Sequence, residues 1–153
     1  MSLIQGYLTD KQKLIWDLKS KGFTEAGIAR KLKVSRQTVH KALDIANSKV
    51  STALEEAAKI NKIKIKILDP PNGVLLGYSS YFKTEALIIF SAKNGVQVWY
   101  KHEGECNNCD QVQSCREALL TEAKERNIPL PENANSMPPS KLAEILFSKI
   151  IGE

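Results

Sequence analysis

Between Thr24 and Leu43 the chain has room for two short helices and almost nothing between them. Thr24 is suited to cap one helix, with Ile28, Ala29 and Leu32 on its inward face, and Ser35 to cap the next, whose inward face begins with Val39, Ala42 and Leu43. Only Lys33 and Val34 lie between the two. So short a link makes the helices cross steeply, which packs only where the side chain at the crossing is small and its neighbours are apolar. Ala29 is the small residue, and Ile28, Leu32, Val34 and Val39 are the apolar ones. Lys33 stands where glycine is common; a lysine in the left-handed conformation costs about 1 kcal/mol there and leaves the arrangement allowed. An earlier helix, capped by Thr9 with Gln12 three residues on, carries Leu14, Ile15 and Leu18 until Gly22 stops it, and completes a three-helix unit.

The outward residues of that unit are not a random polar mixture. Ser35, Arg36, Gln37 and Thr38 form the first turn of the third helix, followed by His40 and Lys41. Side chains of this kind at the N-terminal end of a helix are what the major groove of double-stranded DNA receives, Arg and Gln because they match base edges with two hydrogen bonds. Charge points the same way. The chain carries a net +5, and the surplus is all at one end: residues 1–66 hold 14 Lys/Arg against 6 Asp/Glu, residues 67–153 hold 8 against 11. A polyanion-binding module joined to a part with another task is the expectation.

Leu8-Thr9, Lys11-Gln12, Gly22, Ile28-Ala29, Leu32, Ser35-Arg36-Gln37-Thr38-Val39 and Ala42-Leu43 together resemble the helix-turn-helix of archaeal Tfx-type transcriptional regulators, and in outline the LuxR-type and sigma region-four units. The resemblance covers residues 8 to about 60, with a weaker echo in Ala123-Lys124-Glu125, Ile128-Pro129 and the closing helix. It implies a DNA-binding transcription regulator, with Arg36, Gln37, His40 and Lys41 at the bases and Thr24 and Ser35 near phosphates.

Beyond Leu43 the helical pattern runs to about Ile60 through Ala46, Val50, Ala53 and Ala57, a narrow stripe of the coiled-coil type. It suits a homodimer, with packing on the chain's own later part as the competing use. From Lys62 the period becomes two: Ile63, Ile65 and Ile67 alternate with lysines, as in a half-buried edge strand. Asp69-Pro70-Pro71-Asn72-Gly73 reads as a turn, residues 74–78 as a strand, and residues 86–90 and 96–100 as a hairpin about Asn94-Gly95. Residues 116–126 read as a helix, and Ser140 as the cap of a last one bearing Leu142, Ile145, Leu146 and Ile150. The predicted class is α+β, with a helix-turn-helix domain at 1–48, a connecting or dimerisation helix at 49–61 and an α+β domain with the cysteines at 62–153.

All three cysteines fall together, as His102, Cys106, Cys109 and Cys115 in an H-x3-C-x2-C-x5-C array. Cys106 and Cys109 have the spacing at which two thiolates share one metal ion, and Cys115 at a helix start is expected to have a lowered thiol pKa. Zinc held by three cysteines and His102 is the first reading, with Glu103, Glu105 or Asp110 as substitutes for the histidine; an iron–sulfur cluster or redox-active thiols are the alternatives.

No phosphate-binding glycine motif, G-x-S-x-G or H-E-x-x-H occurs, so an enzyme is not expected. The first residues lack the regions of a signal peptide and no long apolar stretch occurs, which predicts a cytoplasmic protein without membrane association. The expected function is sequence-specific regulation, with a second domain that dimerises or senses a metal, redox state or small-molecule effector. The alternative is a basic protein that coats DNA without sequence preference.

Overall fold

Each of the first three helices begins at a hydroxyl. In the computed structural model, which describes residues 8–101 and 105–152, Thr9 starts α1 (Asp10–Ser20) with a reciprocal pair: its Oγ1 accepts from the Gln12 N–H at 3.2 Å and Gln12 Oε1 accepts from the Thr9 N–H at 3.1 Å. Thr24 Oγ1 accepts from the Gly27 N–H at 3.0 Å to start α2 (Glu25–Leu32). Ser35 Oγ accepts from the Thr38 N–H at 3.1 Å to start α3 (Arg36–Ile60). Each bond satisfies an amide that the first turn of a helix leaves without a partner. Lys33 ends α2 in the left-handed region (φ 57°, ψ 44°), as the two-residue link requires, and the Val34 N–H closes the turn on Ala29 O at 3.0 Å.

Two apolar clusters follow. Ile15, Leu18, Ile28, Ala29, Val39 and Leu43 form the core of the three-helix unit. The second lies where α3 meets a sheet: Ala46, Val50, Leu54 and Ala58 pack with Ile63, Leu75, Ala86, Ile88 and Phe90. Trp16 joins this second cluster from α1, its ring edge-on to Phe90 at 5.1 Å between centroids. Leu14, expected inside, is instead 45% exposed, because the face of α1 that looks inward is centred on Ile15 and Trp16.

The stripe on α3 is therefore not a free coiled-coil surface. Val50 and Ala53 are buried, Ala57 packs against the sheet cluster and Ile60 is 79% exposed. The buried row runs Leu43, Ala46, Val50, Leu54, Ala58, drifting away from the 3.5-residue repeat as a straight helix of 3.6 residues per turn must. The competing use, packing on the chain's own sheet, is the one realised.

That sheet is a meander in the order β1 (Ile63–Asp69), β2 (Val74–Ser79), β3 (Thr84–Ser91), β4 (Gly95–Tyr100), every pair antiparallel. The hairpin about Asn94-Gly95 forms as expected; Ser91 pairs with Gly95 across three intervening residues, and Gly95 adopts φ +71°. On β1 the expected alternation fails. Ile63 is buried, but Ile65 and Ile67 are 41% and 56% exposed. The register shifts between them, and an extra residue in a strand turns the following side chains to the other face. Leu68, not Ile67, packs against the core. Gly77 lies on β2 opposite this irregularity, where a Cβ would stand 2.6 Å from the Lys64 carbonyl oxygen.

The chain divides into two compact units, residues 1–100 and 101–153. The sheet thus belongs with the helix-turn-helix and not, as the sequence suggested, with the cysteines, since α3 is shared by both clusters. In the second unit α4 (Val112–Glu125) packs on α5 (Pro139–Ile151), with Leu119, Ala123, Leu142 and Leu146 buried. α4 begins four residues before the expected start, on Gln111, which offers no side-chain cap and so no sequence signal. α5 begins at Pro139 instead of after Ser140; proline fits a first helical position, where its missing N–H costs nothing. Glu122 is buried with its Oε1 2.7 Å from Arg126 Nε. Among the described residues no helix is long and apolar enough to cross a membrane.

Candidate nucleic-acid interface

The cap at Ser35 and the core contacts of Val39 and Leu43 decide which side of α3 faces water. Arg36, Gln37, His40 and Lys41 are all exposed and, at positions i, i+1, i+4 and i+5, lie on one face of its first turns. Thr24 and Ser35, at the starts of α2 and α3, are exposed as well. Thr38 is half-buried, its Oγ1 2.8 Å from Ser35 Oγ, so it supports the start of the helix more than it extends the exposed face. The structure thus brings every sequence-predicted DNA-binding residue to α3's first two turns or to the two helix starts beside them.

Three further side chains belong to this surface and were missed by sequence reasoning. Glu25, in the first turn of α2, reaches across to α3: its Oε1 lies 3.1 Å from His40 Nδ1 and its Oε2 lies 3.8 Å from Arg36 Nε. Asp44, one turn beyond His40, places Oδ2 3.5 Å from His40 Nε2. Lys19 of α1 completes the lining of a shallow notch with Thr24, Glu25, Ala26, Arg36 and His40. The hydrogen bond from His40 holds the Glu25 carboxyl below its ordinary range, aided by the charges of His40, Arg36 and Lys19 against some desolvation. The same bond raises the His40 pKa, aided by the charge of Asp44. Asp44 was legible as an i+4 neighbour of His40. Glu25 lies fifteen residues from His40, and no local pattern announces that pairing.

The cysteines lie in the other unit. Residues 106–108 form a single 3-10 turn, the Cys109 N–H donating to Cys106 O at 3.2 Å and the Val112 N–H to Cys109 O at 3.3 Å. Cys115 follows within α4, and all three thiols are free, Cys109 exposed and the others half-buried. The Cys115 thiol is pushed up, not down as its helix position suggested: burial is the main cause, and the charges of Cys109 and Cys106 add to it. It stands a turn inside α4, away from the unpaired amides that would lower it. Glu105 accepts from Asn108 Nδ2 at 3.0 Å and Asp110 is exposed. His102 and Glu103 lie outside the described residues. Among the described residues no three His, Cys, Asp or Glu side chains stand already arranged to hold a metal ion. The donor set of three soft thiols would nevertheless suit zinc.

Compared with protein-family models, curated proteins and solved structures, the chain has no match. The resemblance to Tfx-type regulators thus rests on the sequence residues named for it above.

Proposed function

We propose that the chain is a sequence-specific double-stranded DNA-binding transcriptional regulator that acts without catalysing a reaction. One observation carries the reading: Arg36, Gln37, His40 and Lys41 form an exposed face at the N-terminal end of a helix that follows α2 after a short link turned by the left-handed Lys33. In helix-turn-helix proteins that is the face that meets base edges. The starts of α2 and α3, with Thr24 and Ser35, offer amides and hydroxyls to the flanking phosphates. Binding to duplex DNA, measured over a range of salt and against both selected and random sequences, tests this. Specific recognition predicts a preference on the order of 10³-fold or more for the selected site. Equal affinity for all sequences would favour the alternative, a basic protein that coats DNA.

Two copies would read two half-sites about one DNA turn apart, roughly 34 Å, and sedimentation of the free protein tests for the homodimer. Its interface would lie off the α3 stripe, which the chain's own sheet already covers. In the second unit Cys106, Cys109 and Cys115 would hold zinc, with His102 or a nearby carboxylate as fourth ligand. The single turn at 106–109, with Cys106 and Cys109 at its two ends, supports this. Through that site, or through a small-molecule effector, the unit would sense or stabilise. An iron–sulfur cluster in its place would appear in metal analysis as iron.

A further inference from the structure

On the exposed face of α3, His40 is a side chain of the type whose hydrogen-bonding character changes with protonation near neutral pH, and two neighbours bear on that state. His40 Nδ1 is 3.1 Å from Glu25 Oε1. An ionised carboxylate only accepts, so Nδ1 carries a proton and the ring is oriented by α2. The other nitrogen is left to decide what His40 offers. Asp44 Oδ2 lies 3.5 Å from Nε2, too long for a firm hydrogen bond but close enough for its charge to act. A lone pair on Nε2 would be repelled by that carboxylate, whereas an N–H would be attracted to it.

We propose that His40 reads a base pair as an imidazolium, donating its Nε2–H to the acceptor edge of a guanine, and that Glu25 and Asp44 are the positioning residues that keep it a donor. This deepens the DNA-binding reading above and rests on it. In the major groove guanine presents two adjacent acceptors, N7 and O6, while cytosine presents a donor, adenine one donor beside its acceptor and thymine one acceptor beside its methyl group. A donor at Nε2 therefore meets the most acceptors on guanine and none on cytosine, which favours guanine. A neutral ring with Nδ1–H turned to Glu25 would present an acceptor instead and favour cytosine or adenine amino groups. Exposure permits the contact: the His40 side chain is 61% exposed and that of Asp44 70%, whereas Glu25, at 23%, is tucked between the helices. Asp44 can swing away when a base arrives, and Glu25 stays.

The charged groups facing this ring are Glu25 from α2, and Arg36 and Asp44 from α3, with Lys19 of α1 acting on Glu25. Arg36 opposes protonation of His40 and the two carboxylates favour it, with a net upward shift. His40 is raised, so the stabilisation from the pair is fully present below the ordinary imidazole range and fades as pH rises through the folded-state midpoint. Glu25 is lowered, so its share is present above the ordinary carboxyl range and is lost in acid.

The test is selection from a random duplex library by the full chain at pH 6 and at pH 8.5, with the parent, His40→Ala and Glu25→Gln, beside NMR titration of the His40 ring in the free proteins. At pH 6 the parent should prefer guanine at one position by about tenfold, a typical magnitude for one base contact. That preference should fall at pH 8.5 and vanish in His40→Ala. In Glu25→Gln the NMR midpoint and the loss of guanine preference should both move to lower pH. A guanine preference untouched by His40→Ala, or a uniform loss of affinity across all sequences as a phosphate contact would give, overturns the inference and leaves DNA binding standing. An NMR midpoint unchanged in Glu25→Gln overturns the role of Glu25. A parent that binds no duplex at either pH removes the reading beneath it.

Discussion

At the scale of single residues, the fold depends on places where a backbone or a charge leaves little choice. Gly77 is one. A Cβ there would stand 2.6 Å from the Lys64 carbonyl oxygen and 2.5 Å from Ile63 Cγ2, and the carbonyl belongs to the strand backbone, so it cannot rotate away. Gly77→Ala should destabilise the protein by roughly 1 to 3 kcal/mol, the usual cost of overpacking, seen as a lower midpoint in thermal unfolding; an unchanged midpoint would mean that β1 yields freely. Lys33 shows that a residue-level expectation can be read directly, since a two-residue link after a helix needs a left-handed turn and the lysine adopts it. The Glu25 to His40 contact shows the opposite. Neither residue has an unusual neighbour in sequence, and only the crossing of α2 over α3 makes them partners.

Elements are where periodicity meets competition. The caps at Thr9, Thr24 and Ser35 were legible because a hydroxyl and the amide it serves are three residues apart in any chain. The hairpin was legible for the same local reason. The burial of α3 was only half legible: its apolar row could serve a second copy of the chain or the chain's own sheet, and sequence alone does not rank two surfaces of similar chemistry. Leu54 and Ile60 separate the two uses. Leu54 is fully buried against the sheet and Ile60 is 79% exposed. Leu54→Ala should cost roughly 2 to 5 kcal/mol, and Ile60→Ala should stay within about 0.5 kcal/mol, both read from denaturant unfolding. A large, concentration-dependent loss in Ile60→Ala would instead return this end of α3 to a dimer interface. On β1 the expectation for Ile67 failed for a different reason, because a bulge changes which of the following side chains face inward without leaving a mark in the hydrophobic pattern.

For the whole molecule, the division at residues 100 and 101 keeps the basic helix-turn-helix and the sheet in one unit and the cysteines in the other. That division was not legible, since it depends on the long-range packing of α3 on the sheet. If the thiols hold zinc, the parent purified under reducing conditions should contain about one equivalent, and Cys109→Ser with Cys115→Ser should lose it. No metal in the parent would return the cysteines to ordinary or redox-active thiols. The central claim concerns the other unit, and titration of duplex DNA with the parent, Arg36→Ala and Gln37→Ala tests it most directly. The parent's affinity should fall steeply with salt, as release of several counterions demands. Each variant should lose roughly 1 to 3 kcal/mol at a selected site and blur its sequence preference. Parent-like binding by both variants would contradict the assignment of α3 as the recognition helix.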